Sequence, residues 1–99
     1  MEHPKFIITS GGHLRLGLVT LHRDLLMEHE HCIGGGFYEL DYAAGRLLLS
    51  GKSFDYGYPQ WGKVNILLVP EAYSGLPIVY RDPWGEEINL TSSLKIGYY

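Results

Sequence analysis

The chain has 99 residues, 45% of them apolar and 13% aromatic, with a formal net charge of −3. That length suits one domain over residues 1–99, and the apolar content supplies a core and excludes a disordered segment. The charge balance excludes a basic nucleic-acid surface, and no apolar run is long enough to span a bilayer.

Phe6-Ile7-Ile8 reads as a short buried strand, closed by Ser10-Gly11-Gly12. Leu14, Leu16 and Leu18 then alternate with Arg15, Gly17 and Val19, the period of a second strand, and the two form a predicted hairpin. Thr20 offers a capping hydroxyl, with Asp24 in the following turn and Leu21, Leu25, Leu26 and Met27 as apolar positions. This pattern predicts a short helix through His29.

Beyond Gly34-Gly35-Gly36, Tyr38, Leu40 and Tyr42 alternate with Glu39 and Asp41. Ala43-Ala44-Gly45-Arg46 reads as a turn, and Leu47-Leu48-Leu49 as a buried return strand. Residues 60–69, QWGKVNILLV, fit helix or strand and are read as a helix ended by Pro70. Pro77–Arg81 reads as a strand, Asp82-Pro83-Trp84-Gly85 as a type I turn, and Ile88 and Leu90 as alternating positions of a last strand. The expected fold is therefore an α+β domain, a central mixed or antiparallel sheet of about five to six strands flanked by about two helices.

The chemistry-bearing stretch is HEHCIGGGFYEL, beginning at His29. A cysteine-dependent phosphatase loop needs an arginine six residues after the cysteine to clamp the phosphate oxygens. Tyr38 stands there after Cys32, and that reading falls. His22, Glu28, His29, Glu30, His31 and Cys32 crowd one segment, but zinc sites draw on two separated pairs and no second pair is evident. The three glycines permit close backbone approach or a tight crossover, and their amides are a weak candidate for anion binding. Cys32, the single cysteine, cannot close an internal disulfide, and MEHPKFIITS lacks the apolar run of an export signal. Both suit a reducing, cytoplasmic setting.

Taken in order, HRD at residues 22–24, CIGGG at 32–36, a hairpin, and GKSFDYG at 51–57 resemble the Janus/Ocnus family, the phosphohistidine phosphatases. The likeness covers residues 22–57 best, with Lys5 in PKFIIT similar to the lysine of that family's first strand. The resemblance implies a mixed sheet flanked by helices and hydrolysis of a phosphoramidate without metal or cofactor. It implies His22 as general base, Ser53 with the amide of Asp55 holding phosphate, Lys5 touching it, and Arg23 lending its amide. The implied partner is a phosphorylated protein or a small phosphoramidate. Arg23 and Asp55 stand where the family carries small residues. Two other classes remain open on the same residues: an anion- or phosphoprotein-binding module without turnover, and an oligomerising structural domain.

Overall fold

The computed structural model describes residues 1–99 and contains no α-helix. Eight strands form one sheet: β1 (His3–Thr9), β2 (His13–Val19), β3 (Cys32–Asp41), β4 (Arg46–Ser50), β5 (Ile66–Val69), β6 (Ile78–Arg81), β7 (Glu87–Asn89) and β8 (Lys95–Tyr98). Their order across the sheet is β7-β6-β4-β3-β1-β2-β5-β8. The central pairings, β2 with β1, β1 with β3 and β3 with β4, are antiparallel. The β4–β6, β2–β5 and β5–β8 pairings are parallel, which makes the sheet mixed.

This corrects the α+β expectation. The segment expected as a helix through His29 is a single 3₁₀ turn, His22–Leu25. Leu21 caps it through its own N–H, which donates to Asp24 Oδ2 at 2.9 Å, rather than Thr20 through its hydroxyl. The apolar residues there do not share one face, since Leu25 is buried while Leu21 and Met27 are exposed. Residues 60–69 likewise divide into a 3₁₀ turn, Trp61–Lys63, and strand β5. A third 3₁₀ turn, Glu71–Tyr73, follows. Leu90 lies beyond β7, and the last strand is β8.

Both expected hairpins form. The Asp82–Gly85 turn forms as well, with Gly85 N–H donating to the Asp82 carbonyl at 3.1 Å. Alternate residues build the core on one face: Phe6 and Ile8, Leu14 and Leu16, Leu47 and Leu49, Leu67 and Val69, Ile78 and Tyr80. The registers place them side by side, with Phe6 opposite Leu16, Leu14 beside Leu67 and Leu49 beside Tyr80. Trp61 stacks on Phe6 at 6.0 Å between centroids and touches Tyr80 at 5.0 Å. Those residues sit on β1 and β6, three strand positions apart. The sheet is therefore curled around its own core, and each leucine buried there is worth about 2 kcal/mol.

The triple glycine is neither loop nor crossover. Gly34, Gly35 and Gly36 lie inside β3, paired with Ile8, Ile7 and Phe6 of β1. A Cβ at Gly34 would stand 2.5 Å from the Tyr58 carbonyl oxygen, and one at Gly36 2.8 Å from the Phe6 ring. The glycines let a loop and a core ring approach the strand.

Candidate active site

The site lies on the face of the sheet opposite the core. Two rows of the register define it: Gly17, Lys5 and Phe37 in one, and Arg15, Ile7 and Gly35 in the next. Glycine in each row leaves a dent, and the His22–Leu25 turn fills it. Leu25 occupies the space over Gly17, where a Cβ would come within 2.6 Å of its Cδ2. His22 Cδ2 lies over Gly35, 3.2 Å from where a Cβ would stand. Of the three successive glycines, Gly35 is the one that makes room for the histidine.

His22 is only 7% exposed. Its Nε2 lies 2.8 Å from the Gly36 carbonyl oxygen. A carbonyl can only accept, so Nε2 carries the hydrogen and Nδ1 is the ring atom able to take a proton. Nδ1 has no hydrogen bond within the chain, nor is it among the buried atoms left unpartnered, so it retains contact with solvent. The ring packs edge-on against Phe37, with centroids 5.3 Å apart. Orientation and tautomer are both fixed by neighbours.

Lys5 is 8% exposed and projects from β1 on the same face. Its ammonium donates to the carbonyls of Val19, at 3.3 Å, and Thr20, at 3.0 Å. It also lies 5.8 Å from the Phe37 ring centre. Two of three donors are thereby used, leaving one for a ligand.

Lys5 and His22 meet at a cavity of about 300 Å³ lined also by Thr20, Leu21, Phe37, Phe54 and Asp55. That volume is at the small end of ligand sites. Phe54 and Asp55 come from a loop locked by its backbone. Ser53 N–H is shared between the Gly57 and Gly35 carbonyls, Gly57 N–H returns to the Ser53 carbonyl at 2.8 Å, and Gly35 N–H reaches the Gly57 carbonyl. The loop is clipped to β3 beside His22.

Three of the five residues implied by the resemblance therefore converge: Lys5, His22 and Asp55. Ser53 is adjacent through its backbone but its side chain is 1% exposed, and its Oγ accepts Tyr56 N–H at 3.2 Å. The hydroxyl serves the turn and does not line the cavity. Arg23 is exposed beside His22, outside the lining and unpaired with Asp55. Nor is there a helix end to cradle an anion, because one four-residue 3₁₀ turn sums few peptide dipoles. Sequence reading missed Phe37 and Phe54. Phe37 emerges only from the β1–β3 register that sets it opposite Lys5, whereas the sequence does mark Phe54 as the one phenylalanine in a polar loop.

The chain matches no protein-family model, no curated protein and no solved structure.

Arg15 anchors the turn from below. Its Nη1 donates to the Leu25 carbonyl at 2.6 Å, and the guanidinium forks onto both Glu30 oxygens at 2.8 and 3.1 Å. This hydrogen-bonded pairing with Arg15 lowers Glu30 to a pKa of about 2. Arg15 is consequently committed and offers nothing to an anion. Cys32, half-buried, donates to the Gly34 carbonyl, and burial pushes its thiol upward, away from a nucleophilic thiolate. No three His, Cys, Asp or Glu side chains gather closely enough to hold a metal. No helix is long and apolar enough to cross a membrane. A larger cavity, about 360 Å³, lies at the β3–β4 turn between Leu40, Tyr42, Tyr73 and Leu76. Its one cation, Arg46, is taken up by Asp41 and Glu87, so its free walls are apolar.

Proposed function

We propose that this is a cytoplasmic protein whose Lys5–His22 cavity binds a phosphoryl group and hydrolyses a phosphoramidate, with protein phosphohistidine as the substrate the Janus/Ocnus resemblance suggests. The observation that carries this reading is the meeting of a lysine with a free donor and a histidine of fixed tautomer in one cavity. The resemblance contributes motif order alone, because the sheet has no flanking helices.

In this mechanism Lys5 neutralises charge on the phosphoryl oxygens. His22 Nδ1 takes a proton from water as its oxygen bonds to phosphorus. The P–N bond breaks with its electron pair returning to the leaving nitrogen. The substrate ring, protonated on its other nitrogen from solvent, departs as neutral imidazole, and His22 Nδ1 returns its proton to solvent. Such general-base help is worth about 10²–10⁴ in rate. No step needs a metal ion or cofactor.

Single-turnover phosphate release from a phosphohistidine peptide tests the proposal. Wild type releases phosphate above the buffer rate, and His22→Ala loses at least about 10² of that rate while still folding. Wild-type release no faster than buffer sinks the hydrolase reading.

A second reading, anion binding without turnover, is favoured by the Ser53 hydroxyl facing its own turn and by an acidic residue, Asp55, in the cavity lining. Calorimetric binding of inorganic phosphate, weakened by Lys5→Met and accompanied by no hydrolysis, selects it.

A further inference from the structure

A carboxylate beside a phosphate site is an apparent defect: at close range it repels a dianion. Asp55 lines the cavity with Lys5 and His22 and makes no ion pair within the chain. Next to it, Phe54 is 91% exposed, although the Ser53–Gly57 clip holds the loop's backbone against β3. An uncovered aromatic face adjoining an unpaired carboxylate is the combination that receives an alkylammonium or guanidinium, the ring taking the apolar stem and cation, the carboxylate the charge.

We propose that the cavity recognises a two-signed protein segment, in which the anionic group sits on Lys5 and a neighbouring lysine or arginine side chain sits on Phe54 and Asp55. This rests on the anion-binding reading above and adds to it the identity of the flanking residue. The net charge of −3 points the same way, since a net-negative chain draws in a partner whose segment is basic around its anionic residue. Leu21, exposed on the same lining, gives the segment's aliphatic carbons a further contact.

The test uses the full chain and three probes in NMR titrations: inorganic phosphate, an unphosphorylated peptide with one arginine, and phosphohistidine peptides with arginine or glutamate next to the phosphorylated residue. The arginine phosphopeptide is expected to bind about tenfold tighter than the glutamate one at low salt, the preference shrinking as ionic strength rises. Asp55→Asn should cut that preference about threefold and, with its repulsion gone, tighten inorganic phosphate. Phe54→Ala should likewise cut the preference, by removing the ring the cation rests on. A reduced preference together with tighter inorganic phosphate in Asp55→Asn is the signature, because unfolding or general damage weakens phosphate as well. Equal affinity for the two phosphopeptides, or a preference unchanged in Asp55→Asn, overturns the proposal while leaving the anion site standing. Failure of inorganic phosphate to bind overturns the anion site instead. The unphosphorylated peptide reads the Phe54–Asp55 half on its own: no shift at Phe54 removes it.

Discussion

At the scale of single residues, the site depends on what is missing as much as on what is present. His22 keeps its pose because Gly35 has no side chain, and because the Gly36 carbonyl holds Nε2. A Cβ at Gly35 would stand 2.6 Å from the Phe6 carbonyl oxygen as well as meeting the His22 ring. The first contact is with backbone and cannot relax cheaply; the second pushes the imidazole out of its dent. Gly35→Ala is expected to lower stability by about 1–3 kcal/mol. It should also shift the His22 ring resonances in the folded fraction. A mutant of wild-type stability with unmoved His22 signals would contradict this placement. The three glycines were legible as a demand for close approach. What approaches them was not, because the Tyr58 loop and the His22 ring come from opposite directions along the chain.

Among elements, the His22–Leu25 turn is the one most exposed to failure, since one 3₁₀ turn has little stability of its own. Arg15 supplies it from β2, joining the Leu25 carbonyl to Glu30. Glu30 is held at about 2, against an ordinary value of 4.5, chiefly by its hydrogen bond to Arg15. A depressed carboxyl contributes stability that is complete above its unfolded pKa and lost as pH falls toward the folded one. Glu30→Gln should therefore cost about 2 kcal/mol near neutral pH, where it leaves a largely buried guanidinium short of its partner. The cost should fade between about pH 4.5 and 2. Thermal melts of both proteins across that range check it; curves that stay parallel to the acid end would remove the pair from the account. The same turn shows why the helices were misread. Leucines at 21, 25 and 26 imitate a helical stripe, but the dent over Gly17 and Gly35 admits only Leu25 and His22. In residues 60–69 the apolar run ILLV is uninterrupted, so periodicity alone cannot separate strand from helix. β5 is settled by distant partners, β2 and β8. The β3–β4 hairpin, by contrast, was readable because its alternation and turn are local.

For the whole molecule, the sheet's edges and its core make different demands. β7 and β8 end the sheet without joining, and each is short, with Glu87 on one and Lys95 on the other. Short, charged edges discourage pairing with another chain. The core, however, is one cluster drawn from β1 through β6, with Trp61 bridging β1 and β6 across the curl. Neither wing can bury its apolar face without the other, so the two should unfold together. Urea denaturation of Trp84→Phe, which removes the tryptophan that is 84% exposed, leaves Trp61 as sole reporter of that bridge. Its fluorescence and the far-ultraviolet circular dichroism should give one midpoint and a slope of about 1–2 kcal/mol/M. Refolding should take about milliseconds to seconds, since the parallel β2–β5 and β4–β6 pairings close long loops before they return contacts. A fluorescence transition well below the dichroism one would mean that the β6 wing opens separately, and that the curl is not the cooperative unit.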